Sequence, residues 1–262
     1  MVNVQDVMDA LEGPADPQNH SVDGLCFGDL QAEVMGIAVT FMATQAVLEQ
    51  AVRIGANLII SHEGLFYSHH DVTNQEQNLV AAAKRRFLEE NGLAVYRFHD
   101  GLHRSQPDGI MEGLIRALDW EAYVTEHRPE AALLTMPETS VDQVIFHIKR
   151  KLSLQYVRAV GELSMNCSRI ALLAGYRGGR DTAIPVFEEY HAELVIYGEG
   201  PEWETPEYTR DAQAMGKRQS LIVLGHAESE QPGMELAARR LSERFPMLPV
   251  HFIPVEPLFQ VV

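Results

Sequence analysis

The sequence predicts an α/β protein of two lobes with mostly parallel, mixed sheets. Short β-rich apolar runs alternate with longer helical stretches along the 262 residues, and this alternation is typical of α/β architecture. A chain of this length supports one large domain or two small ones. A stretch with two prolines and several polar residues interrupts the alternation over residues 121–160. We therefore expect a boundary near residues 126–130, between lobes of residues 1–127 and 128–262.

Three capping patterns support the predicted helices. Thr44 and Asp108 precede helical apolar spacing and have side chains suited to an N-cap, and Ser140 with Gln143 has the spacing of a capping box. The predicted helices cover residues 44–54, 74–90, 109–118, 141–151, 182–190, 207–215 and 231–244. The predicted strands cover residues 34–41, 57–60, 93–98, 132–135, 170–174, 194–197, 221–224 and 249–254.

The composition is that of a globular protein with a large acidic excess. Hydrophobic residues make up 46% of the chain, and 21 Lys and Arg against 37 Asp and Glu give a formal net charge of −16. This charge gives no general attraction for nucleic acid or anionic lipid, so we expect neither as a partner. A small anionic ligand remains compatible with it, if a local cluster or a cation binds that ligand.

The sequence carries no signal for export or membrane insertion. Cys26 and Cys167 lie far apart and form no CxxC pair, which favours a reducing compartment. No apolar run reaches the length of a membrane span, and the first residues do not join a basic region to an apolar stretch. We therefore expect a cytoplasmic protein.

Three predicted strands end in histidine. They deliver the pairs His62 and Glu63, His99 and His103, and His226 and Glu230. Open α/β sheets bind ligands outside the carboxyl ends of their strands, so we expect the three segments to share one crevice. Imidazole with carboxylate is the ligand set of Zn, Mn, Fe or Ni. The sequence therefore predicts a site for one or two divalent transition metals, with these six residues as ligands.

Other interpretations of these residues stay open. A single histidine after a strand is more often a surface residue, and only the agreement of three segments favours ligands. Glu63 and His99 can instead form hydrogen bonds that orient a metal-binding side chain, without binding the metal themselves. The group His69, His70 and Asp71, with Asp100, is a weaker candidate, and we expect the first three to be solvated loop residues.

The chain resembles the Nif-three-like dinuclear metal-centre family, also known as homologues of GTP cyclohydrolase I type 2. The resemblance covers most of the chain. It includes Asp23-Gly-Leu-Cys-Phe-Gly28-Asp29, Gly36-Ile-Ala-Val-Thr40, Gly55-Ala-Asn-Leu-Ile-Ile-Ser-His62 and Gly225-His226-Ala-Glu-Ser-Glu230. The last segment is similar to the family's G-H-x-x-x-E motif. The resemblance implies a two-lobed Nif-three-like fold, a two-metal site between the lobes, a small-molecule substrate and a homohexamer.

The chain departs from the family pattern at two positions. Glu63 stands where the family has the second histidine of a His-His pair, and His103 stands where it has the aspartate of H-x-x-x-D. An imidazole does not bridge two metals at short range as a carboxylate does. Glu230 remains as a bridge, and Glu63 can replace the lost negative charge. The departures leave open whether one metal or two are bound.

Two functions of different classes follow from such a site. Two metals about 3.5–4 Å apart can share a hydroxide and promote a displacement or a ring-opening hydrolysis, which favours a di-metal hydrolase, with GTP cyclohydrolase-like activity implied by the resemblance. The alternative is a non-catalytic protein that binds, delivers or senses metal. A nucleotide-binding module with incidental histidines is a third interpretation.

Two further segments bear on the ligand. The glycine-rich turn of residues 175–181 either presents backbone N–H groups to an anion or is a tight turn that needs a positive φ. Glu199 follows the strand of residues 194–197 and either lines the site or lies in a solvated loop.

Overall fold

The fold is a mixed α/β arrangement, described by a computed structural model for residues 1–11, 21–69 and 78–262. The helices are α1 (Val4–Leu11), α2 (Gln45–Arg53), α3 (Leu79–Glu90), α4 (Asp100–Arg104), α5 (Gly109–Ala117), α6 (Val141–Lys151), α7 (Arg180–Glu188), α8 (Thr205–Ala214) and α9 (His226–Arg244). The strands are β1 (Gly24–Phe27), β2 (Ile37–Thr40), β3 (Leu58–Ser61), β4 (Ala94–Arg97), β5 (Val124–His127), β6 (Ala132–Ser140), β7 (Arg158–Val160), β8 (Asn166–Leu173), β9 (Leu194–Tyr197), β10 (Ser220–Val223) and β11 (Val250–Phe252).

The chain forms two compact units. Unit 1 consists of Met1–Gly109 and Met234–Val262, and unit 2 consists of Ile110–Gly233. This division differs from the predicted lobes of residues 1–127 and 128–262. The physical reason is the last strand: β11 pairs in parallel with β2, so the end of the chain belongs to the first sheet.

The sheet of unit 1 has the order β1-β4-β3-β2-β11. Its strands pair in parallel except at the edge, where β1 runs antiparallel to β4. Ser61 at the end of β3 is the register partner of Arg97 at the end of β4. The residues that leave these two neighbouring strands therefore emerge side by side at one edge of the sheet.

The sheet of unit 2 has the order β5-β6-β8-β9-β10-β7. Its centre, β8-β9-β10, is parallel, and the outer pairings are antiparallel. Leu173, Tyr197 and Val223 are aligned across the three parallel strands. The turns that follow β8, β9 and β10 consequently leave the sheet at the same edge.

Apolar side chains of strands and helices form a separate core in each unit. In unit 1 the helix face Val47, Leu48 and Ala51 packs in a cluster with Ile59 and Val95 of the strands. In unit 2 Val186 and Phe187 of α7 pack with strand residues. Burial of these side chains, at roughly 25 cal/mol per Å² of apolar surface, is what holds each helix on its sheet.

Most predicted elements are present, with bounds shifted by a few residues. The predicted N-cap is confirmed, since the Thr44 side chain accepts the N–H of Val47. The capping box at Ser140 is also confirmed. The part of the predicted helix 74–90 before residue 78 lies outside the described residues. Helix α9 begins at His226, earlier than the predicted residue 231, and this places His226 and Glu230 one turn apart on the same helix face.

Several short elements lack a sequence signal. β5 and β7 are exposed edge strands of four and three residues, so neither has the apolar run by which strands are recognised. α1 and β1 were likewise not predicted. No helix within the described ranges combines the length and apolar composition that crossing a membrane requires.

Candidate metal centre

Three imidazoles of unit 1 meet at the edge where β3 and β4 end. His62 directly follows β3, and His99 and His103 follow β4 at the start and in the body of α4. One ring nitrogen of each lies within 4.8 Å of the others. The ring centroids are 4.5 Å apart for His62 and His99, and 4.8 Å apart for His99 and His103. We call these three residues the histidine cluster.

Each ring of the histidine cluster has its Nδ1 bonded to an oxygen. The partners of His62, His99 and His103 are Phe98 O at 3.1 Å, Asp100 Oδ1 at 2.8 Å and Asp108 Oδ2 at 3.0 Å. A carbonyl or an ionised carboxylate only accepts hydrogen bonds, so Nδ1 carries the proton and Nε2 keeps its lone pair. Metal-binding histidines show the same pattern, because the outer oxygen orients the ring and raises its basicity.

The surroundings of His99 also favour its neutral form. Burial and the neighbouring His62 imidazole lower the pKa of His99 to about 4, so this ring is uncharged at neutral pH. Burial raises the pKa of Asp100, but hydrogen bonds from His99 and from the Val22 N–H outweigh it, and the net pKa is below the ordinary value. Asp100 is therefore an ionised acceptor beside a neutral ring.

Asp23 positions the segment that carries two of the three rings. Its carboxylate accepts the backbone N–H groups of His99 at 2.7 Å, Asp100 at 2.8 Å and Gly101 at 2.7 Å. These are orphan donors at the start of α4, where a carboxylate is favourable. A Cβ at Gly101 would lie 2.4 Å from the Phe98 ring and 3.0 Å from Asp23 Oδ2, so glycine is needed for this approach.

Arg97 joins the turn after β3 to the cluster. Its side chain is 2% exposed, and Nε donates to the His62 carbonyl at 3.3 Å. One terminal nitrogen lies 3.5 Å from the Glu63 carboxylate, and the guanidinium also contacts His69. The predicted ligand Glu63 is thus paired with a buried cation next to the histidine cluster.

Unit 2 carries a second candidate group on α9. His226 Nε2 lies 3.3 Å from Glu230 Oε2, and His226 Nδ1 lies 3.0 Å from Glu199 Oε2. Glu230 is 2% exposed, whereas Glu199 is half-exposed. Glu199 therefore orients His226 as an outer carboxylate does at metal sites, which supports the interpretation that it lines the site.

The glycine-rich turn of unit 2 is a tight turn rather than an anion cradle. Gly175 has φ +72°, and a Cβ there would lie 2.0 Å from Glu230 Oε1. Its N–H donates to the Ser229 hydroxyl at 2.9 Å, and the N–H of Gly178 donates to the Glu199 carbonyl at 2.9 Å. Both N–H groups are used inside the fold, where they support α9 and the loop after β9.

The donor sets of both units suit a divalent transition metal. Neutral imidazole nitrogens with carboxylate oxygens are ligands for Zn, Mn, Fe and Ni. The structure brings His62, His99 and His103 together in unit 1, and His226 with Glu230 in unit 2. That all six predicted residues bind metal in a shared pocket stays a prediction.

The other histidines differ from these ligand candidates. His69 is exposed, as predicted, but it is bonded to Arg97 and its ring lies 5.1 Å from that of His99. His70 and Asp71 lie outside the described residues. His147 Nε2 donates to the Leu118 carbonyl at 2.8 Å, and its ring stacks on Trp120, which is a structural role.

Sequence reasoning missed three residues that shape the centre. Arg97 had a signal, since it is a charged residue inside an apolar strand. Asp108 is predicted as a helix cap, and the bond of its carboxylate to His103 had no sequence signal. Asp23 belonged to a segment that resembled a family motif, and its contact with residues 76–78 positions later had no sequence signal.

The fold and the histidine cluster together define an α/β protein with a candidate site for a metal ion. The family model for Duf34/NIF3 (NGG1p interacting factor 3) matches residues 2–258, and the chain belongs to this family. A Clostridium perfringens protein named GTP cyclohydrolase 1 type 2 homolog is 25% identical over 230 residues, which cover 84% of this chain and 83% of that protein. A Chlamydia pneumoniae protein of the same name is 23% identical, over 94% of this chain and 96% of its own length.

Solved structures share the fold. A Bacillus cereus protein related to NIF3 superposes with a TM-score of 0.76 at 16% identity, over 99% of both chains. A Staphylococcus aureus protein gives a TM-score of 0.75 at 18% identity, over 100% of this chain and 99% of that one. The predicted Nif-three-like architecture is confirmed.

Proposed function

We propose that this protein is a metal-dependent hydrolase whose histidine cluster binds a divalent transition metal, Zn, Mn, Fe or Ni. One observation carries the proposal. All three rings of the cluster have Nδ1 bonded to an oxygen acceptor, so Nε2 is the unprotonated nitrogen of each neutral ring, and one ring nitrogen of each residue lies within 4.8 Å of the others. Histidines with incidental roles have no reason to share this arrangement.

The number of nitrogen ligands favours catalysis over a structural role. Structural zinc sites are closed by four protein ligands, whereas catalytic sites keep three and leave one position open. A metal held by these residues would supply Lewis-acid chemistry, which lowers the pKa of water toward about 7 and would make a nucleophile available at neutral pH. The histidine cluster would supply these three ligands, and each ring is oriented by the oxygen bonded to its Nδ1.

Glu63 is the residue we propose to accept a proton during hydrolysis. It follows the ligand His62 directly, and its side chain is 18% exposed, so water can reach it. Arg97, at 3.5 Å, holds the carboxylate next to the cluster. The Ser61 hydroxyl donates to the Glu63 carbonyl at 2.6 Å, which fixes the turn from which the side chain projects. If Glu63 is instead a metal ligand, its removal will lower metal content.

Phosphoesters, nucleotides and cyclic amides are the substrates we propose to test. GTP belongs among them because two relatives carry the name GTP cyclohydrolase 1 type 2 homolog. Their identity to this chain is low, so the name suggests a substrate only. The experiment loads the protein with Zn, Mn, Fe or Ni and measures product formation for each class.

Three variants separate the outcomes. The hydrolase predicts that His103→Ala loses both bound metal and turnover, and that Glu63→Gln loses turnover but keeps its metal. The exposed control His251→Ala is expected to keep both. Stoichiometric, tightly bound metal without turnover of any class would contradict it and favour metal delivery or sensing. Absence of stoichiometric metal would contradict both.

The second metal and the oligomer stay predictions. His226 and Glu230 are predicted ligands, and His226→Ala is expected to remove one equivalent of metal if two are bound. The homohexamer implied by the family resemblance is checked by light scattering on the purified protein. A monomer would leave the hydrolase proposal intact, because the histidine cluster lies within unit 1.

A further inference from the structure

A lysine of α3 contacts the turn that follows β3. Lys84 lies between Ala81 and Leu88 on the buried face of the helix, and the residue is 2% exposed. Its Nζ donates to the Leu65 carbonyl at 2.7 Å. The same ammonium lies 5.2 Å from the centre of the Tyr67 ring, a distance at which a cation and an aromatic face attract each other. One buried cation therefore contacts two positions of the turn.

The neighbouring residues of the turn pack with the same helix. Leu65 and Phe66 are buried in one core cluster with Leu88, and the Arg85 guanidinium lies 4.8 Å from the centre of the Phe66 ring. Tyr67 is exposed and has φ +65°, a backbone conformation that a bulky residue adopts only where its surroundings enforce it. The contacts with α3 thus hold the turn in a conformation that its own residues do not prefer.

The turn carries the residue that we propose as proton acceptor. Glu63 enters the turn with its N–H bonded to the Phe41 carbonyl at 2.8 Å, and Leu65 follows two positions later. Between them, a Cβ at Gly64 would lie 2.2 Å from the Ser68 carbonyl oxygen, so the turn is compact. The place of the Leu65 carbonyl therefore constrains the backbone from which the Glu63 side chain projects.

Global stability does not explain a lysine at this position. Burying an ammonium costs free energy, and replacing buried charges by apolar side chains is often neutral or stabilising. A lysine instead adds a directional bond, because a buried carbonyl such as that of Leu65 needs a donor. The bond selects the one turn conformation in which the carbonyl faces Nζ.

We propose that Lys84 is a positioning residue that acts through the Leu65 carbonyl to hold Glu63 in place beside the histidine cluster. This inference rests on the proposed function, in which Glu63 accepts a proton. Lys84 itself touches neither the candidate ligands nor the water that would be activated. Its contribution is to keep the turn in the conformation that the reaction requires.

The test compares Lys84→Met with Leu88→Ala in the same helix. Lys84→Met removes the donor and keeps a long side chain, whereas Leu88→Ala removes apolar contacts and leaves the lysine bond in place. Amide hydrogen exchange of the metal-free protein, followed by NMR, compares the Glu63 N–H with the Ile60 N–H inside β3. We expect exchange at Glu63, relative to Ile60, to become about tenfold faster or more in Lys84→Met, the size of one hydrogen bond from a charged group.

Urea denaturation of the same variants at pH 7 provides the contrast. Leu88→Ala is expected to lower the midpoint more than Lys84→Met, because it leaves a cavity, whereas in Lys84→Met the lost bond is offset by the removed cost of burying a charge. Exchange at Glu63 relative to Ile60 is expected to stay within about twofold in Leu88→Ala. An equal acceleration in both variants, or none in Lys84→Met, would overturn the proposal.

Tyr67→Leu tests the same cation without a change in the core. The residue is exposed, so this variant is expected to fold, and it removes the aromatic face but keeps an apolar side chain. We expect exchange at Glu63 to become about threefold faster, the size of a cation–π contact near the surface. Should Lys84→Met fail to fold, unchanged exchange in Tyr67→Leu would overturn the proposal.

Turnover separates this inference from the hydrolase. With a substrate that the zinc-loaded wild type hydrolyses, Lys84→Met is expected to lower kcat about tenfold, with KM within about threefold and zinc content unchanged, because a misplaced proton acceptor slows the chemical step rather than binding. Faster exchange at Glu63 with an unchanged kcat would overturn the proposal. Faster exchange in a protein that turns over no substrate would support the role of Lys84 in the turn and contradict the hydrolase alone.

Discussion

The candidate ligands of the two units differ in chemistry and burial. In unit 1, one buried and two partly buried imidazoles lie together, and two of them bond outer carboxylates while the third bonds a backbone carbonyl. In unit 2, a single imidazole lies between two carboxylates, one of them half-exposed. Nitrogen ligands favour borderline metals such as zinc, whereas oxygen ligands favour harder ions. The comparison predicts that the unit 1 residues contribute more to the affinity for a transition metal than those of unit 2.

The largest expected effect is the loss of a cluster imidazole. His103→Ala is expected to weaken zinc binding by more than about 100-fold, since changes that only affect outer partners already cost 10–100-fold. His226→Ala is expected to weaken zinc binding at the tightest-binding site by a smaller factor. Competition with a chelator measures both constants. An equal or larger loss in His226→Ala would reverse the comparison.

Burial in unit 1 also predicts a dependence on pH. Lys84 donates to the Leu65 carbonyl at 2.7 Å, in the turn after His62, and burial lowers its pKa from 10.5 to about 8. Between these values the unfolded state binds a proton that the folded state does not. The unfolding free energy therefore rises with pH across this window. Below pH 8 the folded protein carries the full cost of burying the charged Lys84 side chain.

The variant Lys84→Met isolates the contribution of Lys84 to this pH dependence. The difference in unfolding free energy, wild type minus variant, is expected to increase by about 3 kcal/mol from pH 8 to pH 10.5. Urea denaturation at several pH values measures it, and other titrating groups cancel in the difference. A flat difference would show that Lys84 is hydrated and that the turn is less buried than described.

Asp23 tests how the segment of His99 and His103 is held. Asp23→Ala leaves three backbone donors of α4 without their carboxylate and is expected to cost about 2 kcal/mol of stability. Denaturation of the metal-free protein measures this cost, and zinc affinity is expected to fall with it. Loss of stability with unchanged zinc affinity would mean that Asp23 does not position the rings.

The smallest predicted effect concerns the outer carboxylates. Asp108→Asn keeps the size of the side chain but removes the charge beside His103, and zinc affinity is expected to fall about tenfold. Glu199→Gln is the matched change beside His226, and its effect is expected to be smaller because Glu199 is half-exposed. Calorimetric titration with zinc compares the two, and a larger effect at Glu199 would contradict the ranking.

The sequence predicted the elements that local patterns determine. The strand 194–197 has the predicted bounds, and Thr44 caps the predicted helix. The grouping of His62 with His99 and His103 was also predictable, because neighbouring parallel strands end at the same edge. Both inferences need only periodicity and the direction of the strands.

Long-range contacts were beyond sequence reasoning. Nothing local shows that Asp23 accepts N–H groups from α4, or that Arg97 reaches Glu63 and His69. The course of the chain after residue 233 was missed for the same reason, since β11 joins β2 across more than two hundred positions. Ring polarity in particular depends on which atom faces each Nδ1, and a sequence does not contain that information.

The most direct test of the account is a crystal structure of the zinc-loaded protein, with the ion located by anomalous scattering. The account predicts an ion about 2.0–2.1 Å from Nε2 of His62, His99 and His103, with the three Nδ1 bonds intact and His69 not coordinated. An ion bound through Nδ1 of these rings, or located away from the histidine cluster, would contradict it.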